Sequence, residues 1–166
     1  MINLRIEKVS SNNIDELQKI SRDTFFESFV TSTSEENMQH YLENNFSKEQ
    51  LTKEIENNYS EFYFAILENE VIGYLKINYS AAQTELKDDH TLEVERVYVR
   101  NNFHGKSVGQ QLLDMQYKSR NKKRCNQYGW GYGKTITEQS TFTRKMDLSL
   151  LIRMYLCLAK KHKPIT

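Results

Sequence analysis

The hydrophobic and polar positions of the first 114 residues follow the periods of regular secondary structure. Residues 2–6 alternate between apolar and polar side chains, which predicts a strand that can continue to Val9. Helices are predicted next, because apolar side chains recur along one face. One stripe consists of Ile14, Leu17, Ile20, Phe25 and Phe29, and the next consists of Met38, Tyr41, Leu42 and Phe46. The chain is therefore expected to begin with one strand and a helical region.

Local signals predict the elements that follow. The sequence Ser-Lys-Glu-Gln at 47–50 has the S-x-x-Q form of a capping box and predicts the start of another helix, which carries Leu51 and Ile55. Three segments favour strands: residues 61–67, 71–79 and 92–99. The turn sequence at 68–70 joins the first two as a hairpin. After the polar loop 80–90 and the third of these strands, a last helix is predicted from Val108 to about Ser119. Strands that alternate with helices indicate an α/β or α+β sheet domain.

The charges are distributed unevenly along the chain, whose formal net charge is +1. Residues 1–114 contain 11 basic and 20 acidic residues, a balance of −9, whereas residues 115–166 contain 12 basic and 2 acidic residues, a balance of +10. Periodicity is also weak in the second part. A basic run occupies 118–124, three glycines fall within 128–133, and only 148–159 is largely hydrophobic. The two parts therefore need separate explanations.

Composition excludes several classes of protein. The 166 residues suit one domain, and 10 Tyr and 8 Phe can supply buried area although only 38% of the residues are hydrophobic. No apolar run approaches the roughly 18 residues of a membrane-spanning helix. No leader-like segment opens the chain, so we expect a cytoplasmic protein with no membrane partner. Two cysteines exclude a disulfide framework, and the four histidines lack metal-ligand spacing, so no metal is expected.

The most informative segment is the loop between the predicted strand at 92–99 and the last helix. Its sequence, His-Gly-Lys-Ser-Val-Gly at 104–109, leads directly into that helix. The first N–H groups of a helix have no intrahelical partner and lie at the positive end of its dipole, so they bind anions. Glycines let a phosphate approach the backbone closely. A phosphate-binding loop and an ordinary strand–loop–helix connection both fit this pattern.

The segment resembles the acetyl-CoA motif of the GNAT superfamily of N-acetyltransferases. The family pattern is Arg/Gln-x-x-Gly-x-Gly/Ala after a strand. Here His104 stands at the first position, Ser107 at the first glycine and Gly109 at the last. The order of elements in residues 2–113 agrees with the family, and Glu-Arg-Val-Tyr-Val at 95–99 resembles the bacterial Pai-type spermine/spermidine acetyltransferases. The resemblance implies a GNAT fold, with a mixed central sheet flanked by helices.

The resemblance also implies a reaction and the residues that perform it. An amine attacks the thioester of the co-substrate acetyl-CoA after a base or a water chain removes its proton, and an acid protonates the departing thiolate. Glu93 and Glu95, two apart on one strand, share a face and are candidates for the base or for an amine anchor. A solvated or salt-bridged strand glutamate is the alternative for both. The implied cofactor-binding residues are Val97, Tyr98, Val99, His104, Gly105, Lys106, Ser107, Val108, Gly109 and Gln110.

The expected acceptor is the primary amine of a small molecule, with polyamines among the candidates. Four acidic residues fall near the helices that usually line the acceptor site in this family and would suit a cationic amine: Glu27, Glu35, Glu36 and Glu43. A solvated helix face is the alternative explanation for them. The usual acid of the family is the tyrosine of a Phe-Tyr pair, but Phe142-Thr143 stands there. The oligomeric state stays open, with a homodimer among the choices.

Residues after about 114 depart from the family, and the genetic code offers an explanation. The family continues with Asn-x-x-Ala-x-x-Phe-Tyr-x-x-x-Gly-Phe, which this chain lacks. Degenerate codons for 128–148, read from the third base of each codon, permit W-L-G-V-W-E-N-N-N-R-A-I-N-F-Y-T-K-N-G-F, which contains the motif in full. A frameshift also accounts for the division of charge. We therefore predict one acetyltransferase domain over 1–166, family-like in 1–114 and out of frame in 115–166.

Two other functions remain as alternatives. A protein that lacks the C-terminal motif can be a GNAT-fold protein without catalytic activity, and acetyl-CoA-dependent thiol release with spermidine separates the two. The basic run at 118–124 would suit a nucleic-acid-binding tail, which predicts strongly salt-dependent binding. A shifted frame leaves that run without a selected function, so we expect no nucleic-acid partner.

Overall fold

The computed structural model describes residues 4–84, 91–123 and 127–130, all within the compact unit Met1–Gly131. Its strands are β1 Arg5–Lys8, β2 Ser60–Leu67, β3 Glu70–Tyr79, β4 Thr91–Val99 and β5 Gln127–Trp130. Its α-helices are α1 Ile14–Phe29, α2 Glu35–Asn45, α3 Lys48–Glu56 and α4 Val108–Lys123. Short 3-10 turns occupy Ser11–Asn13, Ser80–Ala82 and Asn101–Phe103. The predicted class, a mixed sheet flanked by helices, is confirmed.

The five strands form one sheet in the order β1-β2-β3-β4-β5. All neighbouring strands are antiparallel except β4 and β5, which are parallel. The predicted hairpin is β2–β3, and its turn residues Glu68 and Asn69 have φ values of 49° and 68°. Two consecutive left-handed residues match the right-handed twist of the flanking strands, which explains why the hairpin closes at this point. The parallel pair is reached through α4, as a parallel connection requires.

Helices α2 and α3 begin at serine caps. Ser34 Oγ accepts a hydrogen bond from the Asn37 N–H at 3.3 Å, and Ser47 Oγ accepts one from the Gln50 N–H at 3.2 Å. The capping box predicted at 47–50 is therefore half formed. The Gln50 side chain does not complete it, because its Nε2 donates to Glu54 Oε1 at 2.9 Å along the helix. The cap still satisfies one of the N–H groups that a helix start leaves open.

The core lies between helices α1–α3 and one face of β2 and β3. The predicted stripes of α1 and α2 are buried there, and the ring of Phe25 stacks on that of Tyr41 with centroids 4.3 Å apart. The buried apolar side chains on the sheet side are Phe62, Phe64, Ile66 and Tyr74. Burial of this aromatic set explains how a chain with modest hydrophobic content supports a core. The core fixes α1 and α3 over the central strands, where the candidate site begins.

Substitution of Gly73 by alanine should destabilise the sheet. A Cβ atom at Gly73 would lie 2.7 Å from the carbonyl oxygen of Tyr98 and 3.3 Å from the Cα of Val99, and both are backbone atoms of β4. We expect Gly73→Ala to lower the free energy of unfolding by about 1–3 kcal/mol, measured by urea denaturation. Gly109→Ala is the control, because its Cβ meets only the Val99 side chain at 4.0 Å. An equal loss in both variants would contradict this explanation.

Several sequence predictions fall beyond the described residues. They are the Phe142-Thr143 site, the hydrophobic segment 148–159 and the part of the glycine-rich segment after Trp130. The first strand is described from Arg5, and the strand predicted at 92–99 forms as Thr91–Val99. No helix in the described part of the chain combines the length and the apolar character that crossing a membrane demands.

Candidate functional site

Among the residues that the structure describes, the sheet is open along part of β4. The parallel ladder pairs Thr91 with Gln127, and its last described pair is Val94 with Trp130. Residues 96–99 of β4 continue to pair with β3, but no strand of the described ranges pairs with their other edge. Backbone groups on that edge can hydrogen-bond an extended ligand in the way a further strand would, apart from the Val99 carbonyl, which His104 Nε2 already contacts at 2.7 Å. The opening leads straight toward the loop before α4.

A β-bulge lies at the point of opening. Lys76 of β3 pairs with Arg96, and its neighbour Ile77 pairs with Val94, so Glu95 is an extra residue in β4. Bulges bend a strand and re-aim side chains, and they are common next to active sites. This bulge interrupts the simple alternation that predicted a shared face for Glu93 and Glu95. The carboxylates of Glu93 and Glu95 nevertheless both contact the same side chain of β3.

The shared side chain is Asn78, whose Nδ2 donates to Glu93 Oε2 at 3.0 Å and to Glu95 Oε2 at 2.6 Å. Glu93 is 2% exposed and also accepts hydrogen bonds from Thr84, at 3.0 Å from the N–H and at 2.6 Å from the hydroxyl. It therefore differs from the solvated glutamate considered from the sequence. In this arrangement Glu93 fastens the segment at Thr84 to the sheet, and Glu95 is the more accessible of the two candidates.

Glu95 is held between two cations. Its Oε2 lies 2.6 Å from Lys76 Nζ, and its Oε1 lies 3.0 Å from Arg96 Nη2. Burial would raise the pKa of Glu95, but the charges of Arg96 and Lys76 and the hydrogen bonds from Lys76 and Asn78 outweigh it and hold the pKa below its usual value. A carboxylate with a lowered pKa is a weak base. The geometry therefore argues against Glu95 as the group that removes the proton of the amine, and both of its oxygens already contact a cation.

The lowered pKa of Glu95 predicts a pH dependence of stability. A carboxyl group whose pKa is depressed by folding stabilises the protein above its unfolded pKa of about 4.3 and loses that effect as the pH falls through the folded value. We expect the difference in unfolding free energy between wild type and Glu95→Gln to be constant above about pH 5 and to shrink below about pH 4. Denaturant titrations across this range measure it, and a difference independent of pH would contradict the assignment.

The loop before α4 presents a cluster of backbone N–H groups. Gly105 and Ser107 have left-handed φ values of 75° and 60°, and α4 starts at Val108. The first hydrogen bond of the helix runs from the Gln111 N–H to the Ser107 carbonyl at 3.1 Å, so the N–H groups of 108–110 precede it. Within the described ranges they have no acceptor. Alternating backbone of this kind forms an anion-binding nest at the positive end of the helix dipole.

Side chains around the nest explain two departures from the family pattern. Ser107 replaces a glycine at a left-handed position, which a non-glycine residue occupies at a cost of order 1 kcal/mol. The Nε2 of His104 lies 2.7 Å from the carbonyl oxygen of Val99, so the imidazole fastens the end of β4 to the loop. Lys106 is exposed and places its Nζ 4.9 Å from the ring centre of Phe103. Lys106 therefore carries an exposed positive charge on the loop that forms the nest.

Helix α1 holds the loop in place through acidic side chains. Glu27 Oε2 accepts a hydrogen bond from the Asn101 N–H at 2.8 Å, and Asp23 Oδ2 lies 3.1 Å from Arg100 Nη2. Glu27, which the sequence placed near the acceptor site, uses its Oε2 to position the loop. The other three acidic residues proposed for the acceptor, Glu35, Glu36 and Glu43, are exposed on α2.

The structure thus brings most predicted site residues into one line. Residues 97–99 of β4 lead into the nest at 105–110, with Glu95 at the other end of the opening. The Tyr98 side chain packs into the core beside Tyr74, with ring centres 5.7 Å apart, so it points away from the proposed ligand. Burial raises the pKa of both phenols, which keeps them neutral. The sequence did not predict that Lys76 contacts Glu95, because a lysine inside a strand gives no indication of its partner.

No group of three His, Cys, Asp or Glu side chains that could hold a metal ion occurs among the residues that the structure describes. The described site consists of an open strand edge that leads into a helix N-terminus. Such a site in an α/β domain suits an extended ligand with an anionic end. The family model described as the acetyltransferase (GNAT) family matches residues 14–125. The chain therefore belongs to the GNAT family of acetyltransferases, which confirms the resemblance in its sequence.

Known proteins similar to this chain share its fold. An uncharacterized N-acetyltransferase in the pepI 3′ region of Lactobacillus delbrueckii subsp. lactis is 38% identical over 114 residues, which are 69% of this chain and 66% of that protein. The chain thus spans slightly less than two thirds of the curated relative's length. PaiA N-acetyltransferase from Thermoplasma acidophilum, crystallised with coenzyme A, superposes with a TM-score of 0.70 at 22% identity, over 87% of this chain and 88% of that one.

A second similar structure is that of an acetyltransferase with a different kind of acceptor. The aminoglycoside acetyltransferase meta-AAC0020 from an uncultured soil metagenomic sample, in complex with sisomicin, superposes with a TM-score of 0.59 at 18% identity, over 87% of each chain. At such identities the likeness concerns the fold alone. The acceptor of this chain has to be argued from its own residues.

Proposed function

We propose that the protein is an N-acetyltransferase that transfers the acetyl group of acetyl-CoA to a primary amine of a small molecule. One observation carries the proposal: the open edge of β4 at 95–99 leads directly into the backbone nest at 105–110. Acetyl-CoA has a pyrophosphate at one end of an amide-bearing arm and a thioester at the other. An anion site next to an unpaired strand edge matches that order of chemical groups.

Each part of the site would bind a different part of acetyl-CoA. The N–H groups of Val108, Gly109 and Gln110 would bind the pyrophosphate, with Lys106 adding positive charge. The backbone of Val97–Val99 would pair with the amides of the arm. The thioester then falls near the bulge at Glu95, where backbone N–H groups can polarise its carbonyl as the amine attacks. The attack forms the amide and releases the thiolate of CoA, which takes up a proton.

The proposed acceptor is a small cationic amine, and a polyamine is the first compound to test. Residues 1–114 have 20 acidic against 11 basic residues, so the family-like part of the chain attracts cations. The exposed acids of α2, Glu35, Glu36 and Glu43, support the same class. The aminoglycoside ligand of one similar structure is also a polyamine in chemical terms. Spermidine and an aminoglycoside therefore form the acceptor panel, with an amino sugar that bears a single amine as the comparison of lower charge.

We also propose that residues after about 114 are translated from a shifted reading frame. The family model matches residues 14–125 and leaves 126–166, most of the second part of the chain, unmatched. Two features of the sequence support the proposal: the change from net negative to net positive charge after residue 114, and the absence of the Asn-x-x-Ala-x-x-Phe-Tyr motif. Sequencing of the coding DNA tests it directly. Codons for 128–148 whose shifted reading breaks the motif would refute it.

Calorimetry and thiol release together test the proposed activity. Titration of CoA into the protein is expected to show one site per chain, and acetyl-CoA with spermidine is expected to release CoA thiol faster than acetyl-CoA alone. Binding without turnover would favour the alternative of a GNAT-fold protein that does not catalyse. Absence of CoA binding would overturn the proposal altogether.

A further inference from the structure

Four buried charges form a closed ring under the opening of the sheet. Glu54 of α3 lies 2.9 Å from Lys76 Nζ and accepts two hydrogen bonds from Arg96, at 2.9 and 3.0 Å. Glu95 lies 2.6 Å from Lys76 and 3.0 Å from Arg96. Each carboxylate therefore contacts both cations, and the ring as a whole is neutral. We refer to these four residues as the charge ring.

The charge ring is more than a set of surface ion pairs. The Lys76 side chain is 5% exposed, those of Glu54 and Arg96 are 11% exposed, and that of Glu95 is 17% exposed. Phe62 adds to the enclosure, because its ring lies under Lys76 with 5.5 Å between Nζ and the centroid. Charges removed from water to this degree are stable only with complete partners, so the ring has one defined geometry. A rigid ring of this kind can fix the backbone conformation of β4, the strand that carries Glu95 and Arg96.

The charge ring coincides with the bulge. Glu95 is both a member of the charge ring and the extra residue of β4. Lys76 and Arg96 form the strand pair directly next to this bulge. The last β4–β5 pair in the described part of the chain is at Val94, immediately before the ring. The ring thus joins α3, β3 and β4 at the residue after which β4 has no described neighbour on its other edge. A bulge leaves one residue without a ladder partner, and here side-chain ion pairs hold that residue instead.

We propose that Glu54 and Lys76 are positioning residues that act through Glu95 to hold the open edge of β4 in the conformation that receives the arm of acetyl-CoA. The inference rests on the proposed function and goes beyond it, because neither residue lies on the line from Glu95 to the nest. Two consequences separate positioning from a purely structural role. Loss of the ring should weaken ligands that use the strand edge, and it should spare ligands that use only the phosphate nest.

Two ligands test this separation by calorimetry on the full chain. CoA uses both the nest and the strand edge, whereas adenosine 3′-phosphate 5′-diphosphate has the nucleotide part of CoA and lacks the arm. Lys76→Met alone leaves two carboxylates with one cation, so the main variant is Lys76→Met with Glu54→Gln, which keeps the site neutral. Lys48→Met is the matched control, because Lys48 pairs with Asp15 on the exposed surface at 2.6 Å.

We expect the double variant to bind CoA about tenfold more weakly, which corresponds to about 1.4 kcal/mol, and to bind the arm-less nucleotide like wild type. Lys48→Met should leave both affinities unchanged. Equal weakening of both ligands, or unchanged CoA affinity in a folded double variant, would overturn the proposal. Failure of the double variant to fold would assign the ring to stability alone and overturn it as well. Absence of CoA binding to wild type is a different outcome, since it refutes the proposed function on which the inference rests.

Discussion

Restoring the shifted frame after residue 114 is expected to raise the rate of acetyl transfer by about 10²–10⁴-fold, because a positioned general acid contributes this much. The restored chain would carry the Phe-Tyr pair of the family motif in place of Phe142-Thr143. Its tyrosine is the candidate acid for the departing thiolate of CoA. Steady-state thiol release with spermidine, compared between the present chain and the restored chain, measures the gain.

A third chain gives this comparison its control. The restored chain with that tyrosine replaced by phenylalanine should keep the restored fold and lose most of the gain in kcat. If the two restored chains are equally active, the tyrosine is not the acid. If the present chain is already as active as the restored one, the C-terminal residues are irrelevant to catalysis and the frameshift has no functional consequence.

Gly109→Asp is expected to weaken CoA binding by about 10²–10³-fold. Two like charges about 4 Å apart near a protein surface repel by about 4 kcal/mol, and the new carboxylate would lie in the proposed pyrophosphate nest. Folding should be preserved, because a Cβ at Gly109 meets only a Val99 side-chain atom at 4.0 Å. A carboxylate in the first turn of α4 also interacts favourably with the helix dipole, by about 0.3–1 kcal/mol. The charge therefore acts on the ligand and not on the fold.

Gly109→Asn is the matched control for the size and shape of the aspartate. It should lose much less affinity than Gly109→Asp, while both variants unfold at denaturant concentrations close to that of wild type. The loss caused by aspartate should also shrink as salt is added, since screening reduces repulsion at an exposed site. Equal affinities of the two variants at low salt would show that the nest does not bind the pyrophosphate.

Much of the fold followed from local signals. The stripes of α1 and α2 were predictable because each apolar residue repeats at helical spacing and enters the same core, as Phe25 and Tyr41 do. The β2–β3 hairpin was predictable from a turn sequence whose residues accept left-handed backbone. The nest was predictable too, because glycines before a helix determine a local geometry that needs no distant partner.

The contacts of the charged residues were not predictable in the same way. Glu54 on α3 and Lys76 on β3 are 22 positions apart, and nothing in either segment indicates that they meet at 2.9 Å. Glu27 likewise has an ordinary place on α1, and only the packing of α1 against the loop reveals its bond to the Asn101 N–H. The bulge at Glu95 is set by pairing with β3. Side-chain partners across elements follow from tertiary packing, which sequence periodicity does not encode.

The most direct test of acetyl-CoA binding is an amide NMR titration of the chain with CoA. The account predicts one saturable site, with the largest shift changes at the amides of 95–99 and 105–110, since these are the open strand edge and the helix N-terminus. The amides of β1, Arg5–Lys8, at the opposite edge of the sheet serve as the internal reference and should not move. Shift changes centred on β1, or no changes at saturating CoA, would contradict the account.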